Sequence, residues 1–190
     1  MNERVLSAAT AGNLPELKQL LEAGADPNIK DAFGWSALMW AAGMGFADVT
    51  KMLLKSGANA DDRDQYGATA LMKACRRGFF EVARYLIEAG AEVNAGDEFG
   101  WTALMRAARR GYAALVGLLI ESGANLEATD QYGATALIMA AAEGHVEVVR
   151  VLLEKGADAT ARDRNGWSAL MWAKSMRHDE VVRYLEKQKR

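Results

Sequence analysis

An aspartate stands at Asp31, Asp64, Asp97, Asp130 and Asp163, every 33 residues, and each opens nearly the same segment. The segments read DAFGWSALMWAA, DQYGATALMKAC, DEFGWTALMRAA, DQYGATALIMAA and DRNGWSALMWAK. This period constrains the fold more than any composition does. One such copy is too short to bury its own apolar face, so copies must stack on their neighbours. A chain of this kind presents an extended face, and that is where function is expected.

The copy from Asp64 shows how the local structure should form. Asp64-Gln65-Tyr66-Gly67 reads as a turn, in which Asp bonds to its own backbone and Gly67 takes a conformation that side chains avoid. Thr69 is a helix N-cap. Leu71, Ala74 and Cys75 then form the apolar stripe of a short helix that Gly78 ends. A second helix is expected from Glu81 to Ala89, with Val82, Leu86 and Ile87 facing the core. The core leucines of the first helices should be Leu38, Leu71, Leu104, Leu137 and Leu170. Ala74, Ala107 and Ala140 recur at equivalent places and permit close helix packing, near the short end of about 8–10 Å.

The order Asp-x-x-Gly, Ser/Thr, Leu, an Ala pair, Gly, an apolar run and Gly-Ala-Asp/Asn resembles the ankyrin repeat. The resemblance covers essentially the whole chain in five copies without insertion. The family's usual Thr-Pro-Leu-His is absent. SALM stands at 36–39 and 168–171, TALM at 69–72 and 102–105, and TALI at 135–138. Ala for Pro costs roughly 0.4–1 kcal/mol per site through unfolded-state entropy. The resemblance implies an all-α solenoid of helix-turn-helix units joined by hairpin-like turns. It also implies a single domain over 1–190, with a cap at 1–30, full repeats at 31–63, 64–96, 97–129 and 130–162, and a capping repeat at 163–190.

The ends differ from the middle. Residues 2–28 lack the turn and read as a helix pair, with Asn13, Pro15 and Glu16 starting the second helix. The last copy carries Arg177 where the others have glycine and finishes on a polar segment. Both ends are expected to cap the stack and mark the bounds of a complete small protein.

What the resemblance implies about function is a protein–protein interaction module whose concave face binds a partner. On that face fall the turn aromatics Phe33, Tyr66, Phe99 and Tyr132, broken at Asn165. Next come Trp35, Ala68, Trp101, Ala134 and Trp167, which alternate large and small. Along the first helices lie Trp40 and Met44; Lys73, Arg76 and Arg77; Arg106, Arg109 and Arg110; Met139 and Glu143; Trp172 and Met176. Lys73, Arg76 and Arg77 are spaced to share one side of a helix, and Arg106, Arg109 and Arg110 repeat that spacing. The bland reading is a solvated polar face. The sharper one is a basic patch flanked by Trp and Met, residue types that suit recognition of an acidic or phosphorylated segment with an apolar anchor. The alternating tryptophans read equally as ridge packing over Ala68 and Ala134 or as ligand anchors.

Two alternatives stay open: an engineered or consensus-like binder or scaffold without a physiological partner, and a regulatory subunit of an enzyme. The alternation between copies fits either doubling of a two-repeat unit or a designed pattern. The net charge of −2 argues against nucleic acid as the partner. No apolar run reaches the roughly 18 residues of a membrane span. The single Cys75 fits a reducing, cytoplasmic setting and reads as core filler. His145 is expected to be structural and His178 lies in the end cap. The Asp61-Asp62-Arg63-Asp64 run reads as a solvated turn rather than a cation site. The expectation is therefore a monomer without metal, cofactor or catalytic residues.

Overall fold

Each copy starts by folding its Asp back on the turn. Asp64 Oδ1 accepts the N–H groups of Tyr66 and Ala68, both at 2.9 Å. Asp31, Asp130 and Asp163 make the same pair of bonds. The following Ser or Thr then caps a helix: Ser36, Thr69, Thr102, Thr135 and Ser168 each accept the N–H three residues on. A cap of this kind contributes about 1 kcal/mol.

A computed structural model describes residues 2–188, which divide between Glu98 and Phe99 into two compact units. The first holds α1 (Asn2–Ala11), α2 (Leu14–Glu22), α3 (Ala37–Met44), α4 (Ala47–Lys55), α5 (Ala70–Arg77) and α6 (Phe80–Glu88). The second holds α7 (Ala103–Arg109), α8 (Ala113–Glu121), α9 (Ala136–Ala142), α10 (Val146–Glu154), α11 (Ala169–Ser175) and α12 (Asp179–Lys187). Among the described residues there is no strand, only isolated bridges at Lys30–Ser36 and Arg162–Ser168. The architecture is the expected all-α repeat fold, and α2 starts where expected, with Asn13 capping Glu16 N–H.

Inside each unit the helices form two rows. In the first unit α1, α3 and α5 pack in series, and α2, α4 and α6 form the second row. In the second unit α7, α9 and α11 make one row and α8, α10 and α12 the other. Leu38, Leu71, Leu104 and Leu137 are buried, as are Val82, Leu86 and Cys75. Leu170 departs from the expectation and is only half-buried, because α11 packs on α9 but has no further first-row helix beyond it among the described residues. Ile87 is likewise half-buried on the rim of α6.

The turns are also joined copy to copy. Gln65 N–H donates to Phe33 O, and Glu98 N–H to Tyr66 O, in the first unit. Gln131 N–H donates to Phe99 O, and Arg164 N–H to Tyr132 O, in the second. These bonds fix the spacing of the turn aromatics.

The glycine between the two helices of a copy has a second reason to be glycine. Its φ is left-handed, as at Gly45 (+80°) and Gly111 (+78°). A Cβ on Gly45 would meet the Phe79 ring at 2.7 Å, and one on Gly111 would meet His145 at 2.7 Å. Phe46, Phe79, His145 and His178, which each start a second helix, therefore pack on the glycine of the preceding copy. His145 and His178 also bond through Nε2 to the carbonyls of Arg109 and Ala142, each at 3.0 Å. Both histidines are therefore structural. Arg177 adopts the same left-handed backbone with φ +61°. No further ring packs against it among the described residues, so the strain of a side chain at positive φ is not compounded by a clash.

Candidate functional site

The turn aspartate has a second oxygen, and its fate separates the copies. Nine residues after each Asp stand Trp40, Lys73, Arg106, Met139 and Trp172 on the first helices. Trp40 Nε1 donates to Asp31 Oδ2 at 2.9 Å. Trp172 Nε1 donates to Asp163 Oδ2 at 2.8 Å. Lys73 Nζ donates to Asp64 Oδ2 at 2.6 Å, within an ion pair whose side chains are only 8% and 3% exposed. Turn and helix of a copy are thus tied by one side-chain bond. The turn pattern points only to Asp bonding its own backbone, and the tie to the ninth position is a second use of the same carboxylate. An N–H donor at the ninth position in four of five copies was the available signal.

Lys73 is more constrained than an exposed groove residue would be. Its ammonium also lies over the Trp35 ring, 3.4 Å from the centroid. Burial alone would raise the Asp64 carboxyl, but the Lys73 ammonium and the N–H groups of Ala68 and Tyr66 outweigh it and hold the group below the usual carboxylate range. Arg76 and Arg77 are exposed, so Lys73 does not share their solvent face. Around this lock only a small cavity of about 40 Å³ remains, between Trp35, Trp40, Lys73 and the arginines.

The copy from Asp130 has no such donor. Met139 stands there and is buried. Asp130 is itself only 6% exposed. Its Oδ1 is used by the turn, and its Oδ2 has no hydrogen-bond partner among the described residues. Beside it opens a cavity of about 350 Å³, walled by Trp101, Tyr132 and Trp172 with Ile138 and Met139 at its base. Asp130, Asp163, Glu143 and Arg109 also line it, three carboxylates against one guanidinium. Arg109 Nε is drawn to Glu143 Oε1 at 3.0 Å. Its guanidinium stands 5.3 Å from the Trp101 centroid, and that of Arg106 stands 5.6 Å away.

Two of the alternating tryptophans have a ring partner in their own copy. Trp35 packs on Trp40 with centroids 4.5 Å apart, and Trp167 on Trp172 at 4.9 Å. Each ring leans on the ninth-position residue of its own copy, and all are half-buried. The turn rings Phe33, Tyr66, Phe99 and Tyr132 are exposed. Among the cations, Arg76, Arg77, Arg109 and Arg110 are exposed and Arg106 is half-buried. Three of the six expected basic residues lie in each unit.

A profile described as ankyrin repeats in three copies matches residues 5–97 and 104–189, and one described as ankyrin repeats in many copies matches 80–120. The chain belongs to the ankyrin repeat family, whose members are generally protein–protein interaction modules rather than enzymes. No match is found among curated protein sequences. Among the described residues, no helix is long and apolar enough to cross a membrane, and no three His, Cys, Asp or Glu side chains group as a metal site.

Proposed function

We propose that the first-helix and turn side chains bind a protein segment that is acidic or phosphorylated and carries an apolar anchor, with no catalysis by this chain. The observation that carries this reading is a contrast among arginines. Arg84 is held by Glu81 and Glu88, and Arg150 by Glu147 and Glu154. Arg77 and Arg110, at equivalent ends of α5 and α7, have no carboxylate partner among the described residues. Arg77 donates to the Met44 sulfur, at 3.7 Å. A helix C-terminus favours positive charge, so these side chains cost little where they stand. Their planar forks suit carboxylate or phosphate. Trp101, Tyr132, Met139 and Trp172 offer the apolar contact, while Lys73, Trp40 and Asp64 position their surroundings.

The test is binding of acidic and phosphoserine peptides by fluorescence anisotropy. Reversing Arg76, Arg77, Arg109 and Arg110 to Glu should abolish binding and leave the helical circular dichroism intact. Raising salt should weaken wild-type binding, because exposed charges are screened beyond roughly 8–10 Å at physiological ionic strength. Binding indifferent to both salt and the reversals would rule this reading out.

A further inference from the structure

The two copies that carry Ala rather than Trp at the fourth position after Asp solve one problem differently. In the copies from Asp31 and Asp163 the donor to Oδ2 is an indole, packed at a tilt against the Trp of the same copy. The copies from Asp64 and Asp130 have Ala68 and Ala134 there, and the nearby ring comes from the preceding copy, Trp35 or Trp101. In the first case a lysine fills the place, its ammonium between carboxylate and ring face. In the second case the carboxylate, the ring and the space are kept, and Met139 cannot donate. The volume lies in the usual range for ligand pockets, about 300–1,000 Å³.

We propose that this cavity takes a lysine side chain from a partner protein, with its ammonium on Asp130 Oδ2 and against the Trp101 face. The occupant repeats in trans what Lys73 does in cis. The charges agree, since the lining holds three carboxylates against the single guanidinium of Arg109, which Glu143 already engages. An aromatic face attracts an ammonium, most strongly where both are desolvated. The lysine stem fits the apolar base at Ile138 and Met139. An indole is disfavoured by the lack of a Trp at position 134 to stack on. This proposal rests on the reading of the chain as a protein-binding module, and it adds a lysine to the partner's acidic or phosphorylated segment.

The probes are acetyl-Gly-Gly-Lys-Gly-Gly-amide and the same peptide with norleucine for lysine, followed by the indole N–H resonances of Trp101 and Trp172. The lysine peptide should shift both and bind at least tenfold more tightly than the norleucine peptide. Asp130→Asn keeps the Oδ1 turn bonds and should lose at least tenfold. Met139→Lys should place a tethered ammonium in the cavity, abolish peptide binding and leave the melting temperature at or above that of the wild type. Equal binding of the two peptides, or no shift with either, overturns the proposal. A Met139→Lys protein that melts well below wild type does so too, because a lysine buried there without a partner would destabilise. The arginine reversals Arg76→Glu and Arg77→Glu should leave the lysine peptide bound. Loss of acidic-peptide binding and loss of lysine-peptide binding are thus read separately.

Discussion

Trp35, Asp64 and Lys73 in the first unit and Trp101, Asp130 and Met139 in the second occupy the same three positions, 66 residues apart. The first set is closed, with a 2.6 Å ion pair and about 40 Å³ of cavity beside it. The second is open, with about 350 Å³ and a carboxylate oxygen without a partner among the described residues. Within these sets one side chain differs, Lys73 against Met139; around them Trp40, Gly43, Arg76 and Arg77 stand where the second place has Arg106, Arg109, Ala142 and Glu143. A buried carboxylate gains its stability through a matched partner and is costly when the partner is withdrawn. The repeat tolerates the loss at Asp130 because Oδ1 still holds the turn and the cavity keeps the other oxygen within reach of solvent or ligand. Equivalent turns therefore carry a closed ion pair in one place and an open cavity in the other.

The sharpest way to break this comparison is Lys73→Met, which turns the closed set into the open one. It should cost about 3–5 kcal/mol in urea unfolding, as for a buried pair that loses one partner. A variant as stable as wild type would show that the lock contributes nothing. The rings come next. Trp35→Ala removes a stacked neighbour and the face under Lys73, and should cost about 2–3 kcal/mol. Trp101→Ala removes contacts to two more exposed arginines and should cost about 1 kcal/mol of stability while losing binding. Equal losses from the two substitutions would assign Trp101 to ridge packing.

Acid sharpens the same contrast. The folded Asp64 carboxyl titrates below its unfolded value. Its contribution is therefore fully present above the unfolded value of about 3.9 and is lost as pH falls through the folded value. Stability measured from pH 5 downward should show this loss, and Lys73→Met should flatten it. The smallest effect belongs to Asp130→Asn, which keeps the turn acceptor and should change stability by less than about 1 kcal/mol. Asp64→Asn, by contrast, strands the Lys73 ammonium and should approach the cost of Lys73→Met.

Much of the fold was legible before any coordinates. The 33-residue period, the Ser/Thr caps and the glycine stops act within a few residues of chain, so they appear as local pattern. The same holds for the Asp-to-backbone bonds of the turns and for Asn13 at the start of α2. The candidate residues were legible only as types. Lys73, Arg76 and Arg77 look alike in spacing, yet Lys73 is buried and the others are exposed. That outcome depends on Asp64 and Trp35, which lie 9 and 38 residues away in the chain. Leu170 resembles Leu137 in sequence and differs in burial, because α9 packs between α7 and α11 whereas α11 has no first-row helix beyond it among the described residues.

The sequence by itself determined the repeat, the helices and the residue types along the first helices, since these follow from short-range capping, periodicity and backbone preference. Only the tertiary structure decided which cation closes a lock, which tryptophan stacks on a neighbour and which aspartate is left facing a cavity. Those outcomes depend on side-chain contacts within a copy and between successive copies, where one donor more or less at a buried carboxylate decides whether the space is filled from within.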